Sequence, residues 1–328
     1  MIVVLFRNEN NSIEKKVIEI NDTLPNKTIW IDLIEPKLEE EKYIEGILNI
    51  ETPTEEEMEK FEIISPFYVK NSVDYMTVTV LDKASKDYPD SIAITFILTD
   101  KCLITTRYDN TKSFDYLNTW ISMDKKRSLS PEYILTALLD FMVNCCADIL
   151  EEVGNEIDDL LKLVFEKQVD KKKSSSEFHN EIIRRIGNTG TIISKNRESL
   201  VSLNRMIIYF SQIDNAKYMG KKDSRLRIKH IASDISPLSE YANFLSQRNS
   251  FLLDATLGMI SVEQNMIIKV FTVAAAVFMP PTLIASIYGM NFKHMPEVDL
   301  AFGYPLSLLI IIISAVVPYL YFKGKGWL

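Results

Sequence analysis

Cysteine and histidine are scarce in this chain of 328 residues, with three of each. Cys145 and Cys146 are adjacent and Cys102 is distant, so there is no Cys-x-x-Cys pair and a disulfide-rich secreted scaffold is excluded. Reduced thiols of a cytosolic domain are expected. His179, His230 and His294 lie far apart, and the chain lacks HExxH, GxSxG, GxGxxG and Walker A patterns. Neither an enzyme nor a nucleotide-binding protein is indicated. A net charge of −8 with no basic patch interleaved with aromatics also argues against a nucleic-acid partner. The acidic runs Glu39–Glu41 and Glu55–Glu57 read as solvated helix faces.

The scarcest feature is charge at the C-terminal end. Among the 59 residues after Lys269 only Lys293, Glu297, Asp299, Lys323 and Lys325 are charged, a net of +1, while residues 1–269 carry 34 basic and 43 acidic residues, a net of −9. Two uncharged runs of 23 residues, 270–292 and 300–322, are each long enough to cross a bilayer core of about 30 Å. Ile310–Ile313, in the second run, argues against the alternative of two buried core helices. A C-terminal transmembrane hairpin is expected: a first span at 270–290, a loop at 291–299, a second span at 300–322 and a basic tail at 323–328. Met1–Phe6 is apolar for only six residues before Arg7, without a basic leader, so no signal peptide is expected. Lys323 and Lys325 then place both termini in the cytoplasm of a multi-pass inner-membrane protein, by the positive-inside rule.

Residues 1–129 read as an α/β (α+β) cytoplasmic domain. Strand patterns lie at Ile2–Phe6, Val17–Ile20, Thr28–Ile34, Tyr75–Leu81, Ile92–Thr99 and Cys102–Thr106, with helical patterns at Pro36–Asn49 and Thr54–Phe61. From Ser130, a plausible N-cap followed by Pro131, apolar residues recur every three or four positions to Val164. Long antiparallel helices are expected over 130–222, and a stalk helix over 223–269 that runs on into the first span.

Steps of four and three from Asp254 meet Gly258, Ser261, Asn265, Ile268, Thr272, Ala275, Met279, Thr282 and Ser286, a stripe of mostly small or polar residues. A heptad period calls for a fixed face turned toward copies or partners. The stripe is either a helix-packing seam or the lining of an aqueous pore, with Ile268 and Met279 as apolar constrictions. Its donors are oxygens, with no histidine or thiol, which suits a hard cation such as Mg²⁺.

The first span ends in Tyr288-Gly289-Met290-Asn291-Phe292, followed by Met295-Pro296-Glu297. With Glu263-Gln264-Asn265, Phe278-Met279-Pro280-Pro281-Thr282-Leu283, Phe302-Gly303-Tyr304-Pro305 and Trp30-Ile31-Asp32-Leu33, this resembles the bacterial branch of the CorA family of divalent-cation transporters. The resemblance implies a funnel-shaped homopentamer with the first spans around a central pore and the second spans outside. It implies that Gly289, Met290 and Asn291 form a selectivity entrance for hydrated Mg²⁺, the transported and regulatory ion, with Co²⁺ and Ni²⁺ also passing. Glu297 and Asp299 would concentrate cations at the mouth. Ile268 and Phe271 would be the narrow stretch, whereas the stripe selects Thr272 in place of Phe271. Regulatory Mg²⁺ would bind carboxylates of the cytoplasmic part: Asp234, Asp82, Asp87 and Asp90 are the candidates, with Asp254 a further one, since the family position falls on His230. A zinc transporter of the same superfamily, with Gly-Ile-Asn in the motif, and a membrane-anchored coiled-coil scaffold or sensor are the rivals.

Overall fold

The computed structural model describes residues 1–58, 65–83, 90–123, 129–165, 175–213, 222–290, 296 and 302–327. They form two compact units, Met1–Leu253 and Asp254–Leu328.

The first unit is built on a seven-stranded sheet: β1 (Ile2–Arg7), β2 (Ile13–Ile18), β3 (Thr28–Ile34), β4 (Phe67–Lys70), β5 (Val73–Lys83), β6 (Asp90–Leu98) and β7 (Leu103–Arg107), in the order β2-β1-β3-β7-β6-β5-β4. Only β3 and β7 pair in parallel, so the sheet is mixed, as an α/β (α+β) reading requires. The expected strand at Val17–Ile20 lies earlier: β2 is an edge strand whose Glu14, Lys15, Lys16 and Val17 are exposed, charges that blunt an edge and conceal the strand pattern.

Helix α1 (Leu38–Leu48) starts where the Lys37 backbone N–H donates to Glu40 Oε2 at 2.8 Å and ends at Asn49 in the left-handed region. Helix α2 (Lys112–Met123), which no pattern above anticipates, buries Phe114, Leu117 and Ile121 at helical spacing. Helices α3 (Pro131–Phe165) and α4 (Ser175–Gln212) pack on each other, and α4 lies along β5. Two serines of α4 complete the sheet's hydrogen bonding: Ser199 Oγ accepts from the Leu81 N–H at 2.7 Å and Ser202 Oγ from the Thr79 N–H at 3.0 Å.

At the centre of the sheet, Asp32 and Arg107 form an ion pair of 2.8 Å with side chains 3% and 2% exposed. Thr105 Oγ1 donates to the same carboxylate at 2.7 Å, Arg107 Nη1 donates to Asp109 O and Asn110 Oδ1, and the guanidinium lies 4.2 Å from the Phe114 ring centre. The pair is fully partnered, the condition under which buried charges are tolerated.

Candidate functional site

Helix α5 (Lys222–Tyr288) contains the stripe, and α6 (Gly303–Gly324) is the second long apolar helix of the C-terminal unit. Pro280 and Pro281 interrupt neither the helix nor its direction of winding, although their missing N–H groups free the carbonyls of Ala276 and Val277.

The two faces of α5 within the C-terminal unit differ in burial. Val273 is buried, and Ala276, Val277, Pro280 and Ile284 are half-buried on the same side. On α6, Ser307, Ile311, Ser314, Ala315 and Pro318 form a matching half-buried row of small and apolar residues. Every member of the stripe from Asp254 to Ser286 is exposed. At 100° per residue the stripe from Ile268 to Ser286 falls 100–180° around the helix from Val273. The intrachain seam and the polar stripe are therefore different surfaces.

An open groove of about 510 Å³ runs along the exposed side, lined by Ala275, Phe278, Met279, Thr282, Leu283 and Ser286. Four of these belong to the stripe. Phe278 and Leu283 do not; they flank it, about 70° to either side of its line at 100° per residue. Phe271 and Thr272 fall about 50° to either side of the line through Ile268 and Ala275, and both are exposed. Three hydroxyls on this surface bond within their own helix: Ser261 Oγ donates to Leu257 O at 3.0 Å, Thr272 Oγ1 to Ile268 O at 2.8 Å and Thr282 Oγ1 to Phe278 O at 2.7 Å.

At the end of α5 the Gly289 N–H donates to Ala285 O at 3.0 Å and the Met290 N–H to Ile287 O at 3.2 Å, so the first two motif residues continue the last turn. A Cβ on Gly289 would stand 3.3 Å from Ala285 O, a close approach to backbone that favours glycine. Asn291, Glu297 and Asp299 lie outside the described residues.

The regulatory candidates are dispersed. Asp87 lies outside the described residues, Asp82 is in β5, Asp90 opens β6 with Lys195 Nζ 3.6 Å away, Asp234 is exposed on α5, and Asp254 belongs to the other unit. Among the described residues of one chain no three acids, histidines or cysteines gather into a metal site. Asp234 does have a charged neighbourhood. Burial pushes the carboxyl of Asp140, on α3, above its ordinary pKa, Arg227 opposes this, Asp234 adds to it and His230 opposes it.

Among the described residues three helices are long and apolar enough to cross a membrane: Pro131–Phe165, whose most apolar stretch is mostly buried, and Leu226–Tyr288 and Gly303–Gly324, whose most apolar stretches are left almost entirely bare. The molecule is thus of the class with a folded α/β domain and two bare C-terminal apolar helices, the architecture of a membrane transporter. Residues 25–323 match the family model described as CorA-like Mg²⁺ transporter protein, and the chain belongs to that family, whose members are ion transporters rather than enzymes. The chain is 31% identical over 307 residues to the magnesium transport protein CorA of Wolinella succinogenes, covering 92% of each chain. It is 28% identical over 323 residues to that of Escherichia coli K12, covering 98% of this chain and 99% of the other. Its fold resembles the complete structure of the CorA magnesium transporter from Methanocaldococcus jannaschii, with a TM-score of 0.78 at 17% identity over 100% of this chain and 99% of that one.

Proposed function

We propose that the protein carries Mg²⁺ into the cell through a pore made by five copies of α5, with the stripe as its lining and Gly289-Met290-Asn291 as its mouth. The observation that carries this reading is the uninterrupted exposure of the stripe on a helix that is partly covered within the C-terminal unit on another side, that of Val273. A small, polar, uncovered face inside a membrane needs water or another protein copy against it. Five copies would supply both.

Mg²⁺ surrenders its water reluctantly, so a ring of Asn291 amides and backbone carbonyls recognises the hydrated ion by hydrogen bonding to its shell. The same outer-shell recognition admits Co²⁺ and Ni²⁺. Ile268, with Phe271 and Thr272 on either side, forms the apolar narrow point. Asn265 and Asp254 lie on the cytoplasmic side of it, and Glu297 and Asp299 concentrate cations outside. Both termini are cytoplasmic, and the N-terminal unit senses internal Mg²⁺ at carboxylates among which Asp234, Asp82, Asp87 and Asp90 are candidates, shared between copies. A divalent ion entering a negative interior gains about 4.6 kcal/mol per 100 mV, so no nucleotide is required.

Asn291→Ala is expected to abolish Mg²⁺ uptake in a Mg²⁺-auxotrophic strain while the protein still inserts in the membrane. Uptake at the wild-type rate would overturn the assignment of the mouth.

A further inference from the structure

A pocket of about 530 Å³ in the first unit is lined by β5, β6, the end of β7 and α4. Four carboxylates line it: Glu55, Asp90 at the start of β6, Asp109 just after β7 and Glu198 on α4. Its one cationic group is Lys195, whose ammonium stands 3.6 Å from Asp90. Among the described residues Glu55, Asp109 and Glu198 have no ion-pair partner. Three negative charges of the lining are therefore uncompensated. The pairing of β5 with β6 sets Thr79 opposite Ala93 and Leu81 opposite Ser91, so Thr79, Ser91 and Ala93 share one face of the sheet. All three line the pocket. Thr79 is 8% exposed, and neither its hydroxyl nor that of Ser91 has a hydrogen-bond partner. Buried hydroxyls are ordinarily bonded, so two orphans on the face beneath an acidic pocket point to a donor that enters it.

We propose that this pocket binds a linear aliphatic triamine, its ammonium groups on Glu55, Asp109 and Glu198 and its donors toward the Thr79 and Ser91 hydroxyls. A single metal ion does not suit the lining, because among the described residues no three acids converge closely enough to hold one. Carboxylates that are separated but share one pocket call for a ligand whose charges are separated too. Aliphatic amines stay protonated at neutral pH as lysine does, so a triamine brings three charges to the three left over. An ammonium is a donor without acceptors, which matches carboxylates and unpartnered hydroxyls alike, and its hydrogen bonds to carboxylates are about twice as strong as neutral ones. Met58, Ile92 and Ala93 add apolar surface to the lining for the methylenes between the charges. The volume lies within the usual range of small-molecule sites. This site does not rest on the transport reading, although Asp90 is also a candidate there for regulatory Mg²⁺.

The test is equilibrium dialysis of the full-length protein in neutral detergent against labelled spermidine, with and without an equal concentration of Mg²⁺. Spermidine is expected to bind once per chain and to stay bound when Mg²⁺ is added. Acetylation of one terminal amine of the probe removes one charge and should weaken binding by up to about fivefold. The triple variant Glu55→Gln, Asp109→Asn, Glu198→Gln should weaken spermidine on the order of a hundredfold, at up to about fivefold per charge. The charge-keeping variant Glu55→Asp, Asp109→Glu, Glu198→Asp should retain it and controls for folding. Absence of spermidine binding, its displacement by equal Mg²⁺, or wild-type affinity in the neutral variant would overturn the proposal. Mg²⁺ flux in vesicles free of polyamine tests transport separately: its absence would refute the transport reading, while the dialysis still decides the triamine site.

Discussion

Helices α3 and α6 are both apolar enough to cross a membrane, yet the most apolar stretch of α3 is 67% buried within the first unit and that of α6 is 0% buried. The difference lies in what surrounds them. Helix α3 intersperses Glu151, Glu152, Asp158 and Asp159 with its apolar positions and has α2 and α4 against it. Helix α6 is apolar all round, with no acid and no sheet to cover it. Hydrophobic content alone does not distinguish a core helix from a span; a helix with one charged face belongs in a water-soluble core, and one without any belongs in lipid.

The contrast can be broken most severely at the sheet that helps make the first unit a folded body. Arg107→Met strands the Asp32 carboxylate in the core and is expected to cost about 3–5 kcal/mol. A thermal melt of the full chain in detergent should show the first unit unfolding earlier, and an unchanged melt would refute the importance of the pair. A matched truncation tests the contrast directly. Leu138→Ala, at a fully buried position of α3, should cost about 2–5 kcal/mol, whereas Ile312→Ala, at a position of α6 that is 59% exposed, should change stability by less than about 0.5 kcal/mol. Equal losses would mean that α6 is covered within its own chain.

Gly154→Ala probes how closely α3 and α5 approach in the first unit, since an added Cβ would lie 2.7 Å from the Tyr241 hydroxyl. A loss of about 1–3 kcal/mol is expected, and Tyr241→Phe in the same chain should restore part of it. The smallest effect concerns pH. The raised pKa of Asp140 means the folded chain binds this proton more tightly than the unfolded one, so its contribution is fully favourable below the ordinary aspartate range and falls as pH rises through the folded value. Asp140→Asn should flatten that decline in melting temperature, and an identical slope in the variant would exclude Asp140 as its source.

Much of the fold is readable from the residues because local pattern and tertiary role agree. β3 occupies Thr28–Ile34 as its alternating β-branched run indicates, and Ser130-Pro131 starts α3. β4 escapes notice because four residues at a sheet edge leave almost no pattern, with Val69 and Lys70 both exposed. Helix α2 escapes because its start has neither proline nor an obvious apolar run, and its three buried anchors acquire meaning only against Trp30 and α3. The stripe on α5 is legible from spacing alone, since a heptad period keeps to one side of a helix. Asp234 and Asp90 are not joined by any such period, and among the described residues of one chain neither belongs to a cluster that could hold a metal.

The back-bonded hydroxyls of Ser261, Thr272 and Thr282 have a consequence for how an ion would experience this surface. Each spends its single proton on a carbonyl one turn below, so what remains is oxygen lone pairs, repeated along the helix. Water bound to a cation points its hydrogens outward. On the transport reading, these three positions meet those hydrogens with fixed acceptors. A hydrated cation would find acceptors at these positions on either side of the apolar narrow point, while an anion, whose water points the other way, would find no matching contact with the three hydroxyls.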